Sequence, residues 1–227
     1  MIWWQEPGYL VAFTTRVGGV SKAPYDSLNL SRGTGDDPGR VEENRRIACA
    51  AIGVPFEQLA FNRQVHSPTV HRAQPGARGA PGDGLWTDEP GVPMLAMSAD
   101  CLPIAIAATT DRPRLAVLHA GWRGLAEGVV EAGVATLGAG AKAAVIGPAI
   151  GPCCYEVGPE VSARYDADLT CDGHLDLWGA AERALRRAGV ERVERVDLCT
   201  RDHASLFFSH RRDGLARGVQ GVIGAIA

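Results

Sequence analysis

The chain has 227 residues, of which 46% are hydrophobic and 22% charged, a composition typical of folded globular proteins and unlike disordered, collagen-like or coiled-coil chains. Its 23 Lys and Arg residues and 26 Asp and Glu residues give a net charge of −3, and no basic run alternates with aromatic residues, so we expect no nucleic-acid partner. Apolar runs fall well short of the roughly 20 residues that span a bilayer, and no signal peptide is recognisable. We therefore expect a cytoplasmic protein without a membrane segment.

Signals for strands and helices follow one another irregularly along the chain. Short apolar runs bounded by Gly, Pro or Asp predict strands, and capped runs with one apolar face predict helices. In chain order the predicted elements are a strand at 10–15, a helix at 38–52 between Asp37 and Gly53, a loop at 74–84, strands at 94–98, 103–108 and 115–119, a helix at 125–137, a strand at 143–146, a helix between Asp176 and Gly189, and a strand at 193–199. This order predicts an α+β fold, a single layered domain over residues 1–227 with mixed β-sheets covered by helices.

The chain contains six histidines and six cysteines, and none of them forms a short metal-binding signature. Three segments instead each place one potential ligand at the end of a strand or in a turn: His66 in NRQVH, Cys101 in SADCLP and His119 in HAGWRG. Taken singly, Cys101 is typical of a core residue and His66 of a surface residue. Together, two imidazoles and one thiolate make a three-ligand zinc set with a fourth position open, the arrangement of a catalytic zinc.

The segment around His119 also has the features of an anion site. A buried strand is predicted before it, Gly121 and Gly124 permit a tight turn, and the amides at the start of the next helix point back at that turn. Helix N-termini favour phosphate or a developing oxyanion, and Arg123 adds a bidentate contact. The alternative is that His119 only ends a strand and that Arg123 is solvated.

Ten motifs, in order along nearly the whole chain, resemble those of the laccase-domain, or multicopper polyphenol oxidase-like, family. They are FTTRVGGVS (13–21), SLNL (27–30), GDDP (35–38), ENRR (43–46), NRQVHS (62–67), DGLWTD (83–88), SADCLP (98–103), HAGWRG (119–124), IGPAIGPCCYEVG (146–158) and FFSHRRDG (207–214). By this resemblance the zinc ligands of the family fall on His66, Cys101 and His119. The resemblance implies a purine nucleoside phosphorylase that cleaves adenosine, inosine and S-methyl-5'-thioadenosine with inorganic phosphate, with adenosine deaminase activity beside it.

Phosphorolysis requires contacts to phosphate, a proton or an electrophile for the leaving purine, and orientation of the ribose. We assign the phosphate contacts to Arg123 and to Arg16 in the TTRVGG loop. Asp100 is expected to act as a general acid or to orient a histidine ligand, the alternative being a solvated turn residue. By resemblance, Asn29 and Gln64 contact the ribose. Zinc is expected to act as a Lewis acid, and in deamination to lower the pKa of a bound water.

The sequence supports the oxidase activity in the family name less well than it supports a phosphorylase. A multicopper oxidase needs on the order of ten histidine ligands, whereas this chain has six histidines and no His-x-His pair. A single copper on the same three ligands, with Met94 or Met97 as an axial ligand, is the alternative to zinc, but one copper cannot carry four electrons to dioxygen.

Two further functions would use the same residues. In a thiol enzyme, such as an amide hydrolase that edits cell-wall precursors, Cys101 would be the nucleophile and His119 its base. A metal-binding or interaction module without catalysis is the other alternative. Cys153 and Cys154 lie in a turn rich in Gly and Pro, and we interpret them as structural or pocket-lining residues and not as ligands.

Overall fold

The computed structural model describes residues 1–227, the whole chain, and contains fourteen β-strands and six α-helices. The strands are β1 (Ile2–Trp4), β2 (Tyr9–Phe13), β3 (Ala60–Arg63), β4 (Val70–Arg72), β5 (Arg78–Pro81), β6 (Gly84–Thr87), β7 (Met94–Ser98), β8 (Leu102–Ala108), β9 (Leu115–Ala120), β10 (Lys142–Ile146), β11 (Thr170–Cys171), β12 (His174–Leu175), β13 (Arg192–Arg195) and β14 (Gln220–Ile226). The helices are α1 (Pro38–Ile52), α2 (Trp122–Ala126), α3 (Val129–Thr136), α4 (Pro159–Ser162), α5 (Leu177–Arg187) and α6 (His210–Asp213).

Twelve of the strands form two six-stranded sheets, and β11 and β12 form a separate hairpin. The first sheet has the strand order β1-β2-β14-β7-β3-β5, and the second has the order β13-β10-β8-β9-β6-β4. Both sheets are mixed. In the first, β3 pairs in parallel with β7 while β14 pairs antiparallel with it, and in the second β10 pairs in parallel with β13 and antiparallel with β8. The predicted α+β architecture with mixed sheets is thereby confirmed.

The two sheets pack face to face, and helices cover their outer faces. Phe13 and Met94 from the first sheet and Val117 and Val145 from the second lie in one buried cluster between the sheets. Helix α1 packs on the outer face of the first sheet, and α3 and α5 pack on the outer face of the second. Because β8 and β9 are covered on both faces, every residue in these two strands is buried.

Two of the three predicted helices have the expected bounds. The Asp37 carboxylate caps α1 by accepting a hydrogen bond from the Arg40 amide, and Gly53 ends α1 with a φ of 80°. The Asp176 carboxylate caps α5 in the same way. The prediction of one helix over 125–137 is wrong: the segment contains the short helix α2 and the separate helix α3. The left-handed φ of 93° at Gly128 interrupts the helical backbone between them.

Several strands were not predicted from the sequence. The loop expected at 74–84 contains β5 and reaches the first residue of β6. The central strand β14 contains two glycines, and the short strands β1, β3 and β4 lack a sustained apolar pattern. The strand expected at 193–199 ends at Arg195, after which Cys199 makes only an isolated bridge to Ala149. No helix combines the length and the apolar character needed to cross a membrane.

Candidate metal centre and its cavity

The structure brings His66, Cys101 and His119 together from three separate connections. His66 follows β3, Cys101 lies between β7 and β8, and His119 is the next-to-last residue of strand β9. The ligand atoms of the three side chains all lie within 4.8 Å of one another. The Cys101 Sγ is 3.8 Å from the His66 Nε2, and the two imidazole rings meet edge to face at 4.9 Å. We call these three residues the His-Cys-His set.

Two unusual backbone conformations shape the set. His66 has a φ of 59° and Asp100, directly before Cys101, has a φ of 90°. Positive φ values cost free energy in residues other than glycine, on the order of 1–3 kcal/mol each, and persist where surrounding contacts impose them. Here hydrogen bonds hold both residues, which is typical of backbone strain at a functional site.

The buried carboxylate of Asp83 holds two parts of the set in place. Its Oδ1 accepts hydrogen bonds from the His66 amide at 3.0 Å and from the His119 Nδ1 at 2.9 Å. Its Oδ2 accepts from the Val65 amide at 3.1 Å and from the Ser67 amide and hydroxyl at 2.7 and 2.9 Å. Because Nδ1 of His119 donates to Asp83, its Nε2 is left as the nitrogen that can bind a metal.

The charges of these groups support one another. Burial alone would raise the pKa of Asp83, but hydrogen bonds from His119 and from the Ser67 and Val65 amides hold it well below its usual range. Burial also opposes ionisation of Cys101, yet the charge of His119 and hydrogen bonds from both histidines lower the Cys101 pKa. In turn, the Cys101 and Asp83 charges outweigh burial and raise the pKa of His119. Without a metal, both shifts favour a thiolate beside an imidazolium.

Gly121 is required for the close approach of the ligands. A Cβ at this position would lie 2.6 Å from the His66 Cδ2 and 3.0 Å from the Cys101 Sγ. The turn between β9 and α2 therefore passes against the set only because residue 121 has no side chain.

The donor set fits zinc. Zinc–nitrogen bonds of about 2.0–2.1 Å and zinc–sulfur bonds of about 2.3 Å place a nitrogen and a sulfur ligand roughly 3.6 Å apart in tetrahedral geometry, and the 3.8 Å between Cys101 and His66 is close to this separation. Neither methionine expected as an axial copper ligand joins the set. Met94 is buried in the core between the sheets, and the Met97 sulfur lies 4.0 Å from the Arg45 guanidinium.

The His-Cys-His set lines a cavity of about 700 Å³. Five arginines line the same cavity: Arg32, Arg45, Arg63, Arg78 and Arg217. Arg32 is paired with Glu42, whereas the other four have no carboxylate partner. Burial, followed by repulsion from Arg32 and Arg78, lowers the pKa of Arg45 to about 10. The cavity thus holds an excess of positive charge, which suits an anionic ligand.

Two buried polar atoms on the cavity wall lack hydrogen-bond partners. They are the Ser98 Oγ and the Arg217 Nε. Burial lowers the pKa of Arg217, and the negative charges of Asp100 and Cys101 act in the opposite direction. Unpartnered buried donors are uncommon and costly in native proteins, so these two are candidates for contacts with a bound ligand.

Both arginines assigned to phosphate lie outside this cavity. The Arg16 guanidinium is bound by Asp26 and by the Ala204 carbonyl, and it lines a small cleft elsewhere. Arg123 is exposed and stacks over the Trp122 ring. The helix expected to bind an anion, α2, has only five residues. The structure therefore does not bring Arg16 or Arg123 to the His-Cys-His set.

The two residues expected to contact ribose are engaged in the fold. Asn29 is fully buried, and its amide binds Thr34, Asp36 and the backbone of Ser31 and Val219. Gln64 does line the cavity, but its side chain bonds both the amide and the carbonyl of Met97. These contacts stabilise loops around the site; they use the whole amide of Asn29, whereas one N–H of Gln64 has no partner within the protein.

Asp100 is also held by the protein. Its Oδ1 accepts a hydrogen bond from the Thr200 hydroxyl at 2.6 Å, and its Oδ2 accepts from the Arg211 amide at 2.6 Å. With both oxygens engaged and 7% of the residue exposed, Asp100 positions the backbone before Cys101. No hydrogen bond joins this carboxylate to a histidine of the set, so both roles expected from the sequence, general acid and orientation of a histidine ligand, stay predictions.

Some site residues were not assigned from the sequence. Asp83 begins the motif DGLWTD, and an Asp-Gly pair directly before a buried strand was the available signal. Arg45 lies in ENRR and belongs by pattern to the polar face of α1, and nothing local distinguishes Arg217 or Ser98 from surface residues. These residues reach the cavity wall through tertiary contacts that no local sequence pattern shows.

Comparisons with known proteins agree with this architecture. A protein of Escherichia coli (strain K12) named purine nucleoside phosphorylase YfiH is 38% identical over 225 residues, which cover 93% of this chain and 91% of that protein. Purine nucleoside phosphorylase PA4543 of Pseudomonas aeruginosa is 39% identical over 224 residues, covering 92% and 90%. The crystal structure of Neisseria meningitidis protein NMB0706 matches with a TM-score of 0.89 at 32% identity, covering 100% of this chain and 98% of that one.

A family model described as multi-copper polyphenol oxidoreductase laccase matches residues 10–226. This match spans every strand from β3 to β14 and all three residues of the His-Cys-His set. The chain therefore belongs to the multi-copper polyphenol oxidoreductase laccase family.

Proposed function

We propose that this protein is a purine nucleoside phosphorylase whose active site is the His-Cys-His set and the adjoining arginine-lined cavity. The observation that carries the proposal is the combination of a three-ligand metal set with an excess of positive charge in one cavity of about 700 Å³. Relatives named purine nucleoside phosphorylase, at 38% and 39% identity, support it. The substrates would be a purine nucleoside and inorganic phosphate.

In this proposal the arginines bind phosphate. Arg217 is the first candidate, because its Nε is buried without a hydrogen-bond partner. The negative charge of Cys101 also acts to raise the pKa of Arg217, so this arginine lies within electrostatic reach of the His-Cys-His set. Arg45 contributes a second charge from the cavity wall, held by the Leu30 carbonyl at 2.8 Å. Guanidinium groups in a partly dry cavity would fix the phosphate beside the anomeric carbon, where a phosphate oxygen forms its bond as the bond to the purine breaks and the electron pair leaves with the purine.

His66, Cys101 and His119 would hold zinc, which would supply a Lewis acid for the phosphate or the purine. The chain itself positions these ligands, and His119 would give up its Nε2 proton to solvent when the metal binds. Asp83 fixes the His119 tautomer and the position of His66, and the low Cys101 pKa provides a thiolate at neutral pH. Ser98 would donate its free hydroxyl to the substrate.

We further propose that the nucleosides cleaved are adenosine, inosine and S-methyl-5'-thioadenosine, with slower deamination of adenosine to inosine. An open fourth ligand position on zinc suits deamination, and the arginines suit phosphorolysis. Phe61 and Val219 give the cavity wall apolar surface against which a purine ring could pack.

The thiol-hydrolase alternative rests on one specific observation. The Cys101 thiol contacts His119, and His119 in turn donates to the Asp83 carboxylate, so the three groups form a connected row. Metal content separates the two functions: a phosphorylase loses activity when zinc is removed, whereas a thiol hydrolase is activated by the same treatment.

A product assay tests the proposal. Purified protein is incubated with each of the three nucleosides, with and without inorganic phosphate, and the products are separated by chromatography. We expect adenine and ribose 1-phosphate from adenosine only when phosphate is present, and a slower release of inosine without it. If no free base forms with phosphate present, and if phenols are oxidised in a reaction that depends on added copper, the protein is an oxidase and the phosphorylase proposal is wrong.

A further inference from the structure

A second group of metal-binding side chains lies outside the His-Cys-His set and is not used by the proposed reaction. It consists of Cys153, Cys154, Cys199 and Asp202, which we call the thiol cluster. The three sulfur atoms and the carboxylate oxygen all lie within 4.8 Å of one another. The ligand atoms of the His-Cys-His set lie within the same limit.

The backbone brings the thiol cluster together. Cys153 and Cys154 lie in the turn that follows β10, and Cys199 and Asp202 lie in the segment that follows β13. Because β10 and β13 are parallel neighbours, the two segments leave the sheet at the same edge. The Thr200 amide also donates to the Ala149 carbonyl at 3.0 Å, which keeps the two segments in register.

Hydrogen bonds link the members of the cluster and hold Cys199 in place. The Cys153 thiol donates to one oxygen of Asp202 at 3.2 Å, and the Cys154 thiol donates to the other at 3.1 Å. The Gly151 amide donates to the Cys199 sulfur at 3.3 Å, the kind of contact that supports a metal-bound thiolate. Two thiols thus share a single carboxylate, and all three groups point at one place.

We propose that the thiol cluster is a second zinc site, with three thiolate ligands and the Asp202 carboxylate. Zinc is the metal of choice because it accepts sulfur and oxygen together in tetrahedral geometry, and a full set of four protein ligands is typical of a structural site. On binding, zinc takes the places of the thiol protons, which leave to solvent. In this proposal Cys153 and Cys154 are ligands, whereas the sequence alone favoured a structural or pocket-lining role for them.

The surroundings of the cluster suit such a site. Cys154 and Cys199 are buried, whereas Cys153 and Asp202 are exposed, so an ion has a path from solvent. Three thiolates and a carboxylate exceed the charge of one zinc ion, and the Arg201 guanidinium beside Cys154 offsets part of the excess.

A zinc ion here would join the two segments that support the first centre. Thr200, next to Cys199, donates to Asp100, and Asp100 directly precedes the ligand Cys101. We therefore expect the second zinc to stabilise the fold without taking part in the reaction, because a ligand that binds only the folded state shifts unfolding in its favour.

Metal counting on the purified full chain tests the proposal. After equilibration with zinc and gel filtration, elemental analysis is expected to give two zinc ions per chain, one for each group of ligands. Cys101→Ser should retain one, and Cys153→Ser combined with Asp202→Asn should also retain one. Cys171→Ser, which removes an exposed thiol outside the cluster, is the matched control and should retain two.

Cobalt substitution identifies which site remains. Thiolate-to-cobalt absorption should be stronger in Cys101→Ser, where three thiolates remain as ligands, than in the double variant, where one remains. Zinc should still raise the melting temperature of Cys101→Ser through the thiol cluster. In the double variant this contribution should be absent. One zinc per wild-type chain, unchanged in the double variant, would overturn the proposal, as would a disulfide within the cluster in protein purified under reducing conditions.

Discussion

Asp83 is the residue on which the geometry of the His-Cys-His set depends most directly. One buried carboxylate accepts from the backbone of His66 and from the ring of His119, and so connects two ligands that are far apart in the sequence. Such carboxylate–histidine contacts fix the ring orientation and raise the basicity of a metal-binding nitrogen.

Replacement of this carboxylate tests its role. Asp83→Asn should weaken zinc binding by about 10–100-fold, because an amide holds the His119 ring less firmly and carries no charge. Competition between the protein and a chelator measures the change. Asp88→Asn, which removes an exposed carboxylate paired with Arg72, is the matched control. Equal affinity in the two variants would contradict the role assigned to Asp83.

The thiol of Cys101 gives a pH-dependent prediction. Because the His119 charge lowers the Cys101 pKa, alkylation of the metal-free protein should reach its half-maximal rate well below the ordinary thiol pKa of about 8.5. The rate is measured as the difference between wild type and Cys101→Ser, which removes the contribution of the other thiols. Zinc should suppress the reaction. A midpoint at or above the ordinary value would show that the thiolate–imidazolium pair does not form.

At the scale of elements, the turn between β9 and α2 decides whether the ligands can meet. Strand β9 carries His119, and the chain must then pass beside His66 and Cys101 before α2 begins. Gly121 forms this turn and Gly124 lies within α2, and the surroundings of the two glycines differ.

The two glycines provide a matched pair of variants. Gly121→Ala should abolish most zinc binding, because its Cβ would lie 2.6 Å from the His66 ring and 3.0 Å from the Cys101 sulfur. Gly124→Ala should have little effect, since the nearest atom to its Cβ would be a carbonyl oxygen at 3.4 Å. Zinc content and melting temperature are measured for both. Similar zinc loss in the two variants would point to general disruption of the turn.

At the scale of the whole molecule, charge is distributed unevenly. The chain has a net charge of −3, yet five arginines surround one cavity. Since like charges in a partly buried cavity repel one another, an anion that binds there should stabilise the folded state.

The cytoplasmic location expected from the sequence stays a prediction.

Thermal unfolding measures this effect. Phosphate at about ten times its Kd adds about 1.4 kcal/mol of stability, which raises the melting temperature of a chain of this length by roughly 3–6 °C. Chloride at equal ionic strength should not do so. Arg217→Ala should reduce the rise, and Arg112→Ala, an exposed arginine outside the cavity, should keep it. If Arg123→Ala removed the phosphate-induced rise and Arg217→Ala kept it, the anion site would lie at the start of α2.

The sequence by itself determined the elements with strong local signals. Capping residues defined α1 and α5, and continuous apolar runs defined β7 to β10, because these signals depend on neighbours within a few residues. It also identified the three members of the His-Cys-His set, since each stands in a distinctive motif. The break at Gly128 and the strand β14 were missed, because a glycine inside an apolar run predicts neither by itself.

Only the tertiary structure decided which polar side chains accompany the metal ligands. Arg16, Arg123 and Asn29 stand in motifs as distinctive as those of the ligands, yet folding leaves them outside the cavity. Arg217 and Asp83 reach the site because strands distant in the sequence pair in the two sheets. A motif records which residues are near in the chain, whereas electrostatic and hydrogen-bonding partners depend on distances that exist only after the sheets have formed.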